Sequence, residues 1–326
     1  MYPGAFGTML SQDRSTTHRC RRTTAQCCRV IGRRTLAWLL LCCSLLGCRS
    51  LSHPGPIPQS VASARQLTQQ GMNAMERDDW KRAESLLNRA VETCSTDADA
   101  RRNYAETLWH RGAMPEALVQ IEEARRLSHD DPSLCVRAGE LYLAMGRTSE
   151  ASRIADEALV LDPKLAPAWA LRGRVARSTG QTQQALAYFQ RSLGYAPDNH
   201  DVALLVAETY RELNQPDRAL IALEALSDSY SPGTEPQQVL YLQGLALTAL
   251  GRYEEAIRSL TLAAHRDRPT PDVLCHLAEA QLLSGRYSLA QTTVQGALTL
   301  DPNHSASQAL SARMATAQAA SGAIRR

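Results

Sequence analysis

The sequence predicts an all-α fold: an α-α superhelix, or solenoid, of about seven helix-turn-helix repeats with a C-terminal capping helix. Three observations point there. Alanine recurs at 83, 117, 151, 185, 219, 256 and 290, at spacings of 34, 34, 34, 34, 37 and 34 residues. Twelve residues before each alanine stands Gly71, Ala105, Gly139, Gly173, Ala207, Gly244 or Ala278, small enough for two helix backbones to approach closely. Five residues before each alanine stands Asp78, Gly112, Gly146, Gly180, Asn214, Gly251 or Gly285, all residue types that tolerate the left-handed backbone at a helix C-terminus. With only two Phe and 44% apolar residues, the core must be mostly Ala and Leu, as close helix packing requires. The 326-residue length would ordinarily suggest two globular domains, but a fixed period implies one elongated stack without a single core.

The chain opens on a different composition. Residues 1–48 hold seven Arg and one acidic residue, a net +6, which leaves 29 basic against 32 acidic residues beyond them. The body of the protein is therefore slightly acidic, and a nucleic-acid partner loses its electrostatic basis. Residues 1–29 are polar, Arg/Thr-rich and aperiodic, and are expected to be disordered or to lie upstream of a true start at Val30. Arg33 and Arg34 then precede an apolar run from Leu36 to Gly47. Twelve helical residues cover about 18 Å, too little for a hydrocarbon core of about 30 Å but ordinary for a secretory signal. The run ends on Leu45-Leu46-Gly47-Cys48, which resembles the bacterial lipobox. That resemblance implies cleavage after Gly47, a signal peptide over 30–47 and a diacylglycerol thioether on Cys48. Arg49, rather than Asp, follows the cysteine, and favours the outer over the inner membrane wherever that position is sorted. Residues 48–63, rich in Pro, Ser and Gly, read as a flexible tether reaching at most about 50 Å.

Seven units follow, at 64–97, 98–131, 132–165, 166–199, 200–233, 237–270 and 271–304. Seven residues after each alanine comes Ala90, Ala124, Ala158, Ser192, Leu226, Ala263 or Ala297, another close-approach position. Trp80, Tyr253 and Tyr287 are placed to pack over the turn, and Pro163, Pro197 and Pro302 end units where the chain must leave a helix. Unit four carries Trp169, Gly173, Gly180, Ala185, Phe189 and Pro197. These residues resemble the tetratricopeptide repeat family, whose 34-residue unit is a helix-turn-helix. Departures are Pro216 in the fifth turn, Leu226 at a small-residue position, and three extra residues within SPGTEP (231–236), expected to loosen the junction between units five and six. In residues 305–326, Ala306, Ala309, Leu310 and Met314 recur at helical spacing and suit a capping helix.

The resemblance implies that the first helix of each unit lines the concave side. Residues at steps of three to four share one helical face, which points inward Arg102, Glu106 and Trp109, then Glu140, then Arg174 and Arg177. Further along it points inward Leu204, Glu208 and Arg211, then Tyr241 and Leu245, then Cys275, Glu279 and Leu282. A mixed-charge middle with an arginine cluster thus leads to a more apolar end, suited to a peptide with an acidic stretch followed by apolar anchors. The plainer reading of the same residues is a solvated face with inter-helix pairs. Some family members hold a C-terminal carboxylate in a Lys/Asn/Arg clamp. Asn103 and Arg137 match two clamp positions, but Thr68, Met72 and Ser133 occupy the others, so no clamp is expected.

Nothing in the sequence calls for catalysis, a cofactor, a metal or a small-molecule substrate. The eight His form no H-x-x-x-H pair, and the nine Cys form no C-x-x-C pair. Cys275 and His276 are adjacent, but neighbours on a helix diverge by about 100° and make poor mutual partners. The expected function is a non-catalytic scaffold, lipid-anchored in the bacterial cell envelope and facing the periplasm. It would bind protein or peptide partners in its groove, for assembly of an envelope, pilus or secretion complex. An accessory subunit of an envelope enzyme, or a cytoplasmic adaptor with a misread leader, are the alternatives.

Overall fold

The computed structural model describes residues 58–324, with side chains to residue 316. Cys48 and the leader lie outside the described residues. Fifteen helices fill the described part, with no strand among its residues. They run α1 (Gln59–Met75), α2 (Trp80–Thr93), α3 (Ala98–His110), α4 (Met114–Leu127) and α5 (Pro132–Ala144). Next come α6 (Thr148–Leu161), α7 (Ala166–Ser178), α8 (Thr182–Tyr195), α9 (His200–Glu212) and α10 (Pro216–Ser227). The remainder are α11 (Gln237–Ala249), α12 (Tyr253–Arg266), α13 (Pro271–Leu283), α14 (Tyr287–Leu300) and α15 (Ser305–Ile324). Each odd-numbered helix packs most heavily against the even one after it, which gives seven hairpins and a final single helix.

The repeat period has a direct steric cause. All seven marker alanines are at most 1% exposed, and at Gly71, Gly173 and Gly244, twelve positions earlier, a side chain of the partner helix in the same hairpin fills the space a Cβ would need. A Cβ on Gly173 would stand 2.3 Å from the Phe189 ring, and one on Gly244 would stand 2.4 Å from Leu260. Gly139 is filled differently. There the neighbour is Leu171 of the next unit, 2.4 Å from a hypothetical Cβ. The turns follow the same economy: Gly180 sits at φ +77°, while Asp78 and Asn214, the two non-glycine residues of positive φ among the described residues, occupy the same turn position at +57° and +55°. Helix starts are capped from the inter-unit loops, where the Asp97, Asp131 and Asn199 side chains accept backbone N–H groups of α3, α5 and α9.

Four features differ from the sequence reading. The tether ends early, because α1 begins at Gln59, directly after Pro58 in an extended conformation. No Pro or Gly interrupts 59–70, so a helix anchored by buried Ala64 and Thr68 extends one turn towards the N-terminus. The longer connection between units five and six does not loosen the junction. Arg266 holds Glu235 through Nη2 at 2.9 Å and donates to the Gly233 carbonyl through Nη1, while Gln237 Nε2 reaches the Ala263 carbonyl at 2.9 Å. Leu223, Leu226, Val239 and Leu242 form one buried cluster across that boundary, so the oversized Leu226 fills the wider gap. The capping helix buries Ser307, Leu310 and Met314, and leaves Ala306 and Ala309 exposed. Ser307 accounts for that face, since its Oγ lies 2.7 Å from His304 Nδ1. Finally, Trp80 stacks on His110 at 3.8 Å, as a corner residue should, but Tyr287 at the last turn is 58% exposed.

Candidate interaction groove

First helices of neighbouring units pack together at α1–α3, α5–α7, α9–α11, α11–α13 and α13–α15, and ion pairs bridge α3–α5 and α7–α9, while second helices do not approach their counterparts as closely. The odd helices therefore form the inner side of the curve and the even helices the outer. Each odd helix puts one stripe of half-exposed side chains on the inner side, because residues three or four apart share a face.

From α3 to α9 this stripe is a ladder of opposite charges. Arg137 lies at its centre, paired to Glu106 of α3 and, at 2.8 Å, to Glu140 of its own helix. Its guanidinium also covers the Trp109 ring, 3.9 Å from the centroid. Burial works against the Arg137 charge, but the two glutamates outweigh it and hold its pKa above the ordinary value. Glu140 reaches on to Arg174 of α7 at 3.1 Å. One step further, Arg177 pairs with Glu208 of α9 at 2.8 Å. Arg102 leans on Asp99 of its own helix at 3.4 Å. Arg137 was read from the sequence only as a clamp position, and its part as hub was missed. The signal lies in the spacing: Glu106 to Arg137 and Arg177 to Glu208 are both 31 apart, one helical turn short of the 34-residue period.

Past Glu208 of α9 the character changes. Arg211 is exposed and makes no ion pair among the described residues. Tyr241 of α11 is half-buried, its hydroxyl 3.2 Å from His276 Nδ1 of α13. Burial raises the Tyr241 phenol to about 12, with Asp272 adding to the rise and Arg211 opposing it. Leu204, Tyr241 and Leu245 pack partly against the buried cluster beneath them, and Leu282 does the same further along. Glu279 is 3.8 Å from Arg313 of the capping helix.

Two expectations about chemistry can be placed. Cys275 does not line the groove. It is buried with Ala278, Val294, Leu310 and Met314, and burial pushes its thiol pKa up. The neighbouring His276 turns away to Tyr241 and the Asp272 carbonyl, so the two side chains form no dyad. At the first two units a cleft of about 630 Å³ is lined by Thr68, Met72, Arg102 and Asn103, where a clamp would sit. Asn103 Nδ2 is already used by the Asp99 carbonyl at 2.8 Å, and Arg137 is held by its two glutamates.

Two sequence-family models, each described as tetratricopeptide repeat, match this chain, one over 68–132 and 136–202 and the other over 176–238 and 247–314. The chain belongs to the tetratricopeptide repeat family. Among curated proteins, mouse DnaJ homolog subfamily C member 7 is 26% identical over 269 residues, covering 74% of this chain and 53% of its own. The chain thus spans about half the length of that relative. Among solved structures, a tetratricopeptide repeat protein from Parabacteroides merdae superposes with a TM-score of 0.57 at 15% identity, over 78% of this chain and 99% of that one. YrrB, described as a tetratricopeptide repeat protein with an unusual peptide-binding site, gives 0.50 at 18% identity, over 58% of this chain and 96% of its own. At such identities the likeness concerns the fold. Membership in the tetratricopeptide repeat family supports the coarse role of a protein-interaction scaffold.

Proposed function

We propose that this chain is a non-catalytic scaffold that receives a segment of a partner protein along its inner face, and that a lipid on Cys48 holds it at the bacterial envelope. The observation that carries the groove is the row of first helices, joined by packing at α5–α7, α9–α11 and α11–α13 and by ion pairs at α3–α5 and α7–α9, along which the stripe from Arg102 to Glu279 runs. The anchor rests on Leu45-Leu46-Gly47-Cys48 after an apolar run too short to span a bilayer. Arg49 makes the outer membrane, with the stack in the periplasm, the favoured location. Assembly of an envelope, pilus or secretion complex is the role we assign to such a lipid-held docking surface.

A photo-crosslinking residue tests the groove in cells. Placed at Leu245 on the inner face it should capture a discrete partner, whereas Val160, 81% exposed on α6, should not. Adducts from Val160 alone would reject the groove. Palmitate labelling tests the anchor: Cys48→Ala should lose the label and release the protein from membranes, and unchanged fractionation would reject lipidation.

A further inference from the structure

The inner face divides into a half whose charges are already satisfied and a half whose charges are not. In α3, α5 and α7 every cation that points inward meets a carboxylate of this same chain: Arg102 with Asp99, Arg137 with Glu106 and Glu140, Arg174 with Glu140, and Arg177 with Glu208 of α9. A partner carboxylate arriving at Arg174 or Arg177 would displace an equivalent group, and the exchange yields little net free energy. The arginine cluster that the sequence offers as an acidic-peptide site is therefore mostly occupied from within.

Arg211 is different. It is exposed, unpaired among the described residues, and sits on α9, which packs against α11 and whose Leu204 shares a cluster with Tyr241. Next to it, α9, α11 and α13 lie side by side and present Leu204, Tyr241, Leu245 and Leu282, each half-buried on a firm base. Half-buried apolar side chains retain area that an incoming side chain can remove from water. A single unmatched positive charge beside such a strip selects one sign of partner charge.

On the groove reading above, we infer that the partner segment seats on α9, α11 and α13, and that it carries an acidic residue for Arg211 beside apolar residues for the Leu204–Tyr241–Leu245–Leu282 strip. The ladder from α3 to α9 is then a brace that sets the curvature and does not contact the apolar anchors. Partner choice is made in the last three units.

The probe is a phage-displayed library of random 12-residue peptides selected on the full chain. Enriched peptides should combine an acidic residue with apolar ones. Arg211→Glu should weaken them at least tenfold, and replacing the peptide's acidic residue by Lys should recover affinity for that variant. Leu245→Asp should also abolish binding. Arg126→Ala, on the outer helix α4, should leave affinity within twofold, and circular dichroism melts of each variant separate lost contact from lost fold. Peptides without acidic residues, or peptides indifferent to Arg211→Glu, overturn this inference while a crosslink from Leu245 keeps the groove itself. No enrichment over bare support, or crosslinks only from Val160, overturns both.

Discussion

Two halves of one inner surface, built from the same hairpin, handle polarity in opposite ways. Units two to five join their first helices by ion pairs between neighbouring units, centred on Arg137 and continued by Arg177–Glu208. Units five to seven join theirs through Leu204, Tyr241 and Leu245, with the Tyr241–His276 contact as the polar exception. The difference teaches that a repeat can fix its backbone by a few small residues and leave the inner stripe free to vary. In one half that stripe is spent on the stack itself, and in the other it stays open to something else.

The sharpest way to break the comparison is to attack the frame both halves share. Gly173→Leu would force a side chain into the Phe189 ring, where even a Cβ stands 2.3 Å away, and should lower stability by roughly 1–3 kcal/mol. An unchanged thermal melt would show that the close approach is not what sets the period. Next in size, Arg137→Ala leaves Glu106 partly buried without a cation and Glu140 with Arg174 alone, at about 1–2 kcal/mol in chemical denaturation. Equal stability would mean that the ladder is a solvated face and no brace.

Tyr241 sharpens the contrast from the other half. Its phenol, raised to about 12 in the fold, titrates near 10 once unfolded. Its share of stability is therefore complete below about pH 10 and is lost as pH climbs towards 12. Tyr241→Phe should flatten that alkaline limb, and an absorbance titration of the native protein should show one late phenol missing from the variant. The smallest effect is expected at Arg211: exposed and unpaired, its replacement by Ala should change stability by no more than about 0.5 kcal/mol. A larger loss would place Arg211 among the structural charges and erase the distinction between the halves.

The period, the marker alanines and the left-handed turns were legible because each is imposed by local sterics. A residue at φ +55° must tolerate that backbone, and Asn214 identifies its turn as plainly as the glycines do. What depends on three-dimensional neighbours was less legible. The start of α1 extended past the composition boundary, since propagation of a helix is settled by packing at Ala64 and Thr68. The insert at 231–236 read as slack, but Arg266 and Leu226 supply its fastening from elsewhere in the chain. On the inner face the stripe could be listed from helical spacing, but not which charges neutralise each other. That pairing needs the offset between adjacent first helices, and the 31-residue separation of Glu106 and Arg137 encodes it.

The nearest-neighbour pattern of hairpin contacts has a mechanical corollary. A globule loses its interior in one event, but a stack sheds members from an end, and each departure exposes only the next hairpin. Amide exchange should then be quickest in the outermost hairpins and slowest around α5 to α8, the centre of four consecutive members stitched by charge pairs. A protein pulled at its tip by bound cargo would yield stepwise, as a zip does, and would re-close from the stitched middle outward.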